Sequence, residues 1–124
     1  MKRLLLILLL LASPLFASDE KVVNVYNWSE YMPEKVLKKF TQETGIKVNY
    51  TTYDSNEVMY TKLKTLQGEA YDLVVPSTYF VNRMRNEDML LKLDKARLPN
   101  FRHLDEALLY KSYDPGNEYS VPYL

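Results

Sequence analysis

Apolar positions along the chain change their period several times, and each change marks an element. Val22-Val23-Asn24-Val25-Tyr26 is apolar and β-branched for most of its length, which predicts a strand that is nearly all buried. From Pro33 the spacing shifts: Met32, Val36 and Phe40 fall four apart, Leu37 joins their face, Lys35, Lys38 and Lys39 lie mostly off it, and Gly45 follows. This pattern predicts an amphipathic helix with proline near its first turn and glycine at its end. Residues 46–53, Ile-Lys-Val-Asn-Tyr-Thr-Thr-Tyr, alternate with period two and read as a second strand. Asp54 with Glu57 forms a capping box for a second helix, whose face is Met59, Leu63 and Leu66 and whose stop is Gly68. A third strand covers Tyr71 to Val75 and is cut off by Pro76, after which Ser77 can cap a short helix carrying Val81 and Met84.

The remainder is less regular. Leu90, Leu91 and Leu93 suggest a short extended or packing segment, Pro99 breaks it, Asp105 can cap a short helix through Leu109, and Asp114-Pro115-Gly116-Asn117 is a turn. Tyr119 to Tyr123 reads as the start of another strand, inside which the sequence stops. Strands alternating with helices over short loops predict an α/β fold, an open, mostly parallel sheet flanked by helices.

The first residues stand apart from this fold. Met1-Lys2-Arg3, the apolar run Leu4 to Ala12 and then Ser13-Pro14-Leu15-Phe16-Ala17 have the layout of a secretory signal peptide, with cleavage expected after Ala17. The run is well short of the ~20 residues that span a hydrocarbon core. Removing residues 1–17 takes Lys2 and Arg3 from 16 basic residues and leaves 14 against 16 acidic ones, a formal net charge of −2. No basic stripe points to nucleic acid. With no cysteine, neither a disulfide framework nor a lipid-bearing cysteine is available. The expectation is an exported, periplasmic protein held together by its core.

Ligands of open parallel sheets bind beyond the carboxyl ends of the strands. Those ends carry Trp28-Ser29-Glu30-Tyr31, Asp54-Ser55-Asn56 and Pro76-Ser77-Thr78-Tyr79. Flat aromatic faces, hydroxyls and the Glu30 carboxylate suit a ligand with apolar methylenes and cationic ends. The plainer alternatives are that Trp28 covers the core and that Ser77 only caps a helix. The surplus of 11 tyrosines fits a surface that grips a partly apolar, partly polar ligand. His103 has no second histidine or cysteine with which to build a metal site, and Asp72 is expected to fix backbone ahead of its strand. Lys62, Lys64, Arg83 and Arg85 read as solvated helix faces. Asn27-Trp28-Ser29 and Asn49-Tyr50-Thr51 match the short glycosylation pattern, the second inside a strand. With three glycines there is no phosphate-cradling loop, and no serine lies in a G-x-S-x-G elbow.

The segments "YNWSEYMPEKVLKKFTQETGIKVNYTTYDSNEVMYTKLK", "YDLVVPSTYFVNRM", "LDKARLPNFRHLD" and "YSVPY", in this order, resemble the periplasmic spermidine/putrescine-binding proteins of bacterial polyamine ABC importers. The resemblance covers nearly everything after the leader. It implies a two-lobed, type II-like solute-binding protein, of which residues 18–124 are the first lobe, cut short near the crossover to the second. It also implies a spermidine or putrescine ligand, an inner-membrane ABC permease as partner, a monomeric full-length protein, and no cofactor or catalytic residue. Carried over singly, Trp28 packs on polyamine methylenes, Ser29 bonds an amino group, Tyr31 forms another wall, Ser77 and Tyr79 complete the polar end, and Glu30 is a nearby carboxylate.

Serine stands at position 29 where threonine is common in the family, which keeps the hydroxyl. The second lobe, with its acidic residues, is not in this sequence. Tyr79 tilts the preference toward spermidine. Two rivals remain: a polyamine sensor reporting to a membrane receptor, and an exported hydrolase using paired carboxylates such as Glu30 and Asp54. A lobe cut inside a strand is expected to fold marginally, because it leaves an unpaired edge and exposed apolar surface.

Overall fold

The computed structural model describes residues 20–67 and 69–123. The leader expected at residues 1–17 and the helix stop expected at Gly68 lie outside them. The elements are β1 (Val22–Trp28), α1 (Glu34–Thr44), β2 (Lys47–Tyr53), α2 (Asn56–Thr65), β3 (Leu73–Val74) and α3 (Thr78–Asn86). Three short 3₁₀ turns follow at Lys95–Arg97, Pro99–His103 and Glu106–Leu108. The strands form one parallel sheet in the order β2-β1-β3, so the predicted open α/β architecture is what the chain adopts.

β1 runs two residues beyond its predicted end, taking in Asn27 and Trp28, and pairs with β2 from Val22 opposite Lys47 to Trp28 opposite Tyr53. It can extend through the polar Asn27 because that buried side chain accepts the Trp28 N–H through Oδ1 at 2.7 Å and so meets its own hydrogen-bonding need. The strand is not nearly all buried as predicted. Only Tyr26, on the face that α2 and α3 cover, and Asn27, on the opposite face, are.

β3 is two residues long instead of five. Its flanks are nevertheless tied to β1 by Asp72 N–H to the Asn24 carbonyl (2.9 Å) and Val75 N–H to the Tyr26 carbonyl (3.2 Å). The Asp72 carboxylate accepts both the Asn24 N–H (2.8 Å) and its Nδ2 (3.2 Å), fixing backbone as expected, and Asn24 in turn accepts from Asn49 Nδ2 at 3.0 Å. These three side chains form a polar ladder across all three strands.

The core lies between the sheet and the helices α2 and α3: Tyr26, Tyr53, Met59, Tyr60, Leu63, Phe80 and Met84, with Trp28, Tyr71, Val74, Met89 and Leu90 packed around it. Three of the buried members are tyrosines, so part of the tyrosine surplus is core and not ligand surface. α1 ends as predicted at Gly45, whose φ of 71° places it in the left-handed region glycine favours and whose N–H donates to the Thr41 carbonyl. Its apolar stripe is not covered, however; Val36 and Phe40 remain exposed.

The capping box at Asp54 does not form. Ser55 is the N-cap of α2 and accepts the Val58 N–H at 3.2 Å, while Asp54 bonds elsewhere. Leu66 ends α2 as an exposed residue, outside the buried face predicted for it.

The segment after α3 is held by polar anchors. Leu91 is 91% exposed, and the helix expected from Asp105 to Leu109 shrinks to the 3₁₀ turn that Asp105 caps through the Ala107 N–H. The predicted turn at Asp114–Asn117 is present and is built on a buried carboxylate. Burial alone would push the Asp114 carboxyl up, but the N–H groups of Tyr119, Glu118 and Ser120 and the Ser120 hydroxyl outweigh it and hold it low. The strand expected from Tyr119 to Tyr123 does not form: residue 119 is a bend and residues 120–123 take up no regular structure.

Lys64 and Arg83 are not merely solvated. Both pair with Glu87 (2.7 and 3.1 Å), which also accepts the Tyr60 hydroxyl, and together they join α2 to the end of α3. The bonds from Lys64, Tyr60 and Arg83 hold the Glu87 carboxyl at about 2. A folded value below the unfolded ~4.3 means that this contribution is complete above about pH 4.5 and is lost as the pH falls toward 2. Thermal melts of Glu87→Gln and wild type should therefore differ most near pH 6 and converge by about pH 2. A constant difference across that range would contradict the network.

Candidate functional site

The carboxyl ends of the three parallel strands meet in a rim of aromatic rings. Trp28, half-buried, pairs with Tyr53 as the last residue of β1, so it lies within the strand and not in the loop beyond it; its ring centroid is 4.8 Å from Tyr53 and 6.1 Å from Tyr31. Tyr53 sits beneath, edge-on to Tyr26 at 4.7 Å, and its hydroxyl donates to the Val75 carbonyl, tying the end of β2 to the exit of β3. Burial, then the neighbouring Tyr26, Tyr31 and Tyr50, push the Tyr53 phenol far above its usual range, so it acts only as a neutral donor. The Tyr50 hydroxyl reaches the Trp28 carbonyl at 3.5 Å.

Ser29 continues the ladder one step past β1, its N–H donating to the Tyr53 carbonyl at 3.1 Å. Its hydroxyl donates to Asp54 Oδ1 at 2.6 Å. That bond explains why Asp54 does not cap α2. It leaves the second oxygen of Asp54 and the lone pairs of Ser29 as acceptors for a cationic N–H donor. Glu30 follows at φ 63°, exposed, and turns the chain so that Tyr31 comes back beside Trp28 with 43% of its surface open.

Ser77 and Tyr79 belong to the neighbouring exit, at the start of α3. Ser77 occupies the N-cap position but makes no side-chain cap bond; its N–H instead donates to Asn56 Oδ1 at 3.0 Å. Tyr79 is 68% exposed, packs edge-on to Phe80 at 5.4 Å, and borders an open hollow of about 320 Å³ with Thr78, Asn82, Ser112 and Tyr113. The structure thus gathers Trp28, Ser29 and Tyr31 into one wall and sets Ser77 and Tyr79 on the adjacent exit, joined to that wall through the Tyr53–Val75 bond.

Sequence reasoning missed Tyr53, Tyr50 and Tyr123 as parts of the wall and assigned Asp54 to the wrong partner. Local pattern gave no signal for Tyr53: the strands expected at 22–26 and 46–53, aligned from their first residues, would set Trp28 opposite Thr52, whereas the observed register sets it opposite Tyr53. Among the described residues no group of three or more His, Cys, Asp or Glu side chains is placed to hold a metal, and no helix is long and apolar enough to cross a membrane.

Residues 27–124 match the family described as bacterial extracellular solute-binding protein. The spermidine/putrescine-binding periplasmic protein of Salmonella typhimurium is 58% identical over 108 residues, covering 87% of this chain and 31% of that protein. The protein of the same description from Escherichia coli (strain K12) is 56% identical over the same shares. Among solved structures, the spermidine/putrescine ABC transporter substrate-binding protein PotD of Streptococcus pneumoniae superimposes with a TM-score of 0.80 at 44% identity, over 83% of this chain and 32% of that one. The chain therefore spans about a third of the length of the relatives it matches.

The Tyr53 hydroxyl joins the end of β2 to the exit of β3 beside a second bond, from the Ser77 N–H to Asn56 Oδ1. Tyr53→Phe keeps the rings packed and removes only that bond, so it should cost about 0.5–1.5 kcal/mol in chemical denaturation. An unchanged denaturation midpoint would show that the bond does not hold the rim together.

Proposed function

The chain belongs to the bacterial extracellular solute-binding proteins, and on that premise we propose that it forms the aromatic-walled first lobe of the periplasmic polyamine-binding component of an ABC import system. In this reading residues 1–17 export the protein, residues 18–124 are the lobe, and an inner-membrane permease receives the ligand from a monomeric full-length protein. The observation that carries the reading is the juxtaposition of the Trp28 and Tyr31 rings with the Ser29–Asp54 pair.

A linear polyamine alternates what this wall offers. Its methylene segments lie on ring faces, and its ammonium groups gain from those faces about 0.5–2 kcal/mol each, depending on how far they are desolvated. Hydrogen bonds from an ammonium to a carboxylate add about 1.5–3 kcal/mol. Asp54 is the carboxylate at the wall, with Ser29 oriented by it; Glu30 is a second, more exposed one. Ser77, with its hydroxyl free of a capping role, and Tyr79 extend the site along the β3 exit. Tyr79 at that exit is the residue that favours spermidine over putrescine in this reading. The hydrolase reading loses ground because Asp54 is engaged by Ser29, and the relatives are named as binding proteins.

Spermidine titrated into the purified protein should change the emission of Trp28, the one tryptophan of this chain. At a hundred times its dissociation constant it should raise stability by about 2.7 kcal/mol. Trp28→Ala should weaken binding at least about thirtyfold, as expected for an aromatic anchor worth ~2 kcal/mol or more. Fluorescence and melting temperature that stay unchanged with both spermidine and putrescine would overturn the proposal.

A further inference from the structure

The position of Tyr31 is not secured by its own turn. Its N–H reaches the Trp28 carbonyl only at 3.5 Å, Glu30 before it is held in the left-handed region, and its ring is too exposed to be fixed by packing. What holds it comes from 92 residues away: the Tyr123 hydroxyl donates to the Tyr31 carbonyl at 3.1 Å, and the two rings lie 6.3 Å apart at 37°. Tyr123 itself follows a hydrogen-bonded segment. The buried Asp114 carboxylate accepts the N–H groups of Glu118 (3.1 Å), Tyr119 (3.0 Å) and Ser120 (2.9 Å) and the Ser120 hydroxyl (2.8 Å). Asn117 Nδ2 closes on the Ser120 carbonyl at 2.7 Å, and Pro122 fixes one more backbone angle before Tyr123.

We propose that Tyr123 is a positioning residue for the ligand wall: its hydroxyl anchors the Tyr31 backbone and so sets the Tyr31 ring beside Trp28. The role in ligand affinity rests on the polyamine-binding reading above, whereas the anchoring of Tyr31 does not. A tyrosine that acts through Tyr31 must lose its effect when the Tyr31 ring is gone, whereas one that touches ligand or merely stabilises the fold keeps it.

The test combines Tyr123→Phe, which removes one hydroxyl and keeps the ring, with Tyr31→Ala and the double variant. Spermidine affinity is measured by calorimetry, and acrylamide quenching of Trp28 is measured without ligand. Tyr123→Phe should weaken spermidine binding about two- to tenfold, the range of one neutral hydrogen bond. It should also increase Trp28 quenching, and neither effect should appear when Tyr31→Ala is already present. Wild-type affinity in Tyr123→Phe, or the same loss in the Tyr31→Ala background, would overturn the positioning role. If wild-type protein took up no spermidine, the polyamine reading and the claimed effect on affinity would both fall. Trp28 quenching unchanged by Tyr123→Phe would remove the anchor itself.

Discussion

Trp28 stands opposite Tyr53 because Val22 stands opposite Lys47, and the rim follows from that parallel register. Each strand puts successive side chains on opposite faces, so a slip of one residue would carry Trp28 to the other side of the sheet and take Tyr53 out from under it. The same register brings the Ser29 N–H to the Tyr53 carbonyl and the Ser29 hydroxyl to Asp54, one step beyond the last paired residues. Trp28 and Ser29 are therefore placed by sheet geometry, whereas Tyr31 lies in the turn beyond β1; in the proposed function the sheet-placed part lowers the conformational cost of binding.

Polar side chains do much of the work of fixing what the small core leaves loose. Asp72, Asn24 and Asn49 tie the three strands together at one level, and the Tyr53 hydroxyl ties β2 to the β3 exit at another. Asp114 gathers three backbone N–H groups and a hydroxyl, turning an otherwise irregular segment into a support for Tyr123. The tyrosines serve both purposes: Tyr26, Tyr53 and Tyr60 fill the core, while Tyr31, Tyr79 and Tyr123 stand at the surface. One composition thus supplies a packed interior with internal hydrogen-bond donors and an amphipathic exterior.

Periodic segments were legible in the sequence, because burial of one face leaves a period that can be read without knowing the partner. Strand ends were not. β1 passes through Asn27 because that residue satisfies its own polar group locally, and β3 shortens although its flanks remain bonded. The capping box at Asp54 was a correct local pattern defeated by a closer long-range partner, Ser29. The α1 stripe was legible as apolar, but periodicity expresses a preference for burial and does not supply the surface that would satisfy it. At the site, Trp28, Ser29 and Tyr31 followed from the rule that ligands gather at carboxyl ends of parallel strands. Tyr53 required the register and Tyr123 a contact across 92 residues, neither of which is carried by local pattern.

In the proposed function this rim is the ligand-facing wall for a linear polycation. Its most direct test is a nuclear magnetic resonance titration of isotope-labelled protein with spermidine, following the Trp28 indole N–H and the backbone amides. Saturable shifts concentrated at Trp28 to Tyr31, Asp54 and the Ser77 to Tyr79 exit are expected. Shifts confined to surfaces away from this rim, or none that saturate, would contradict it.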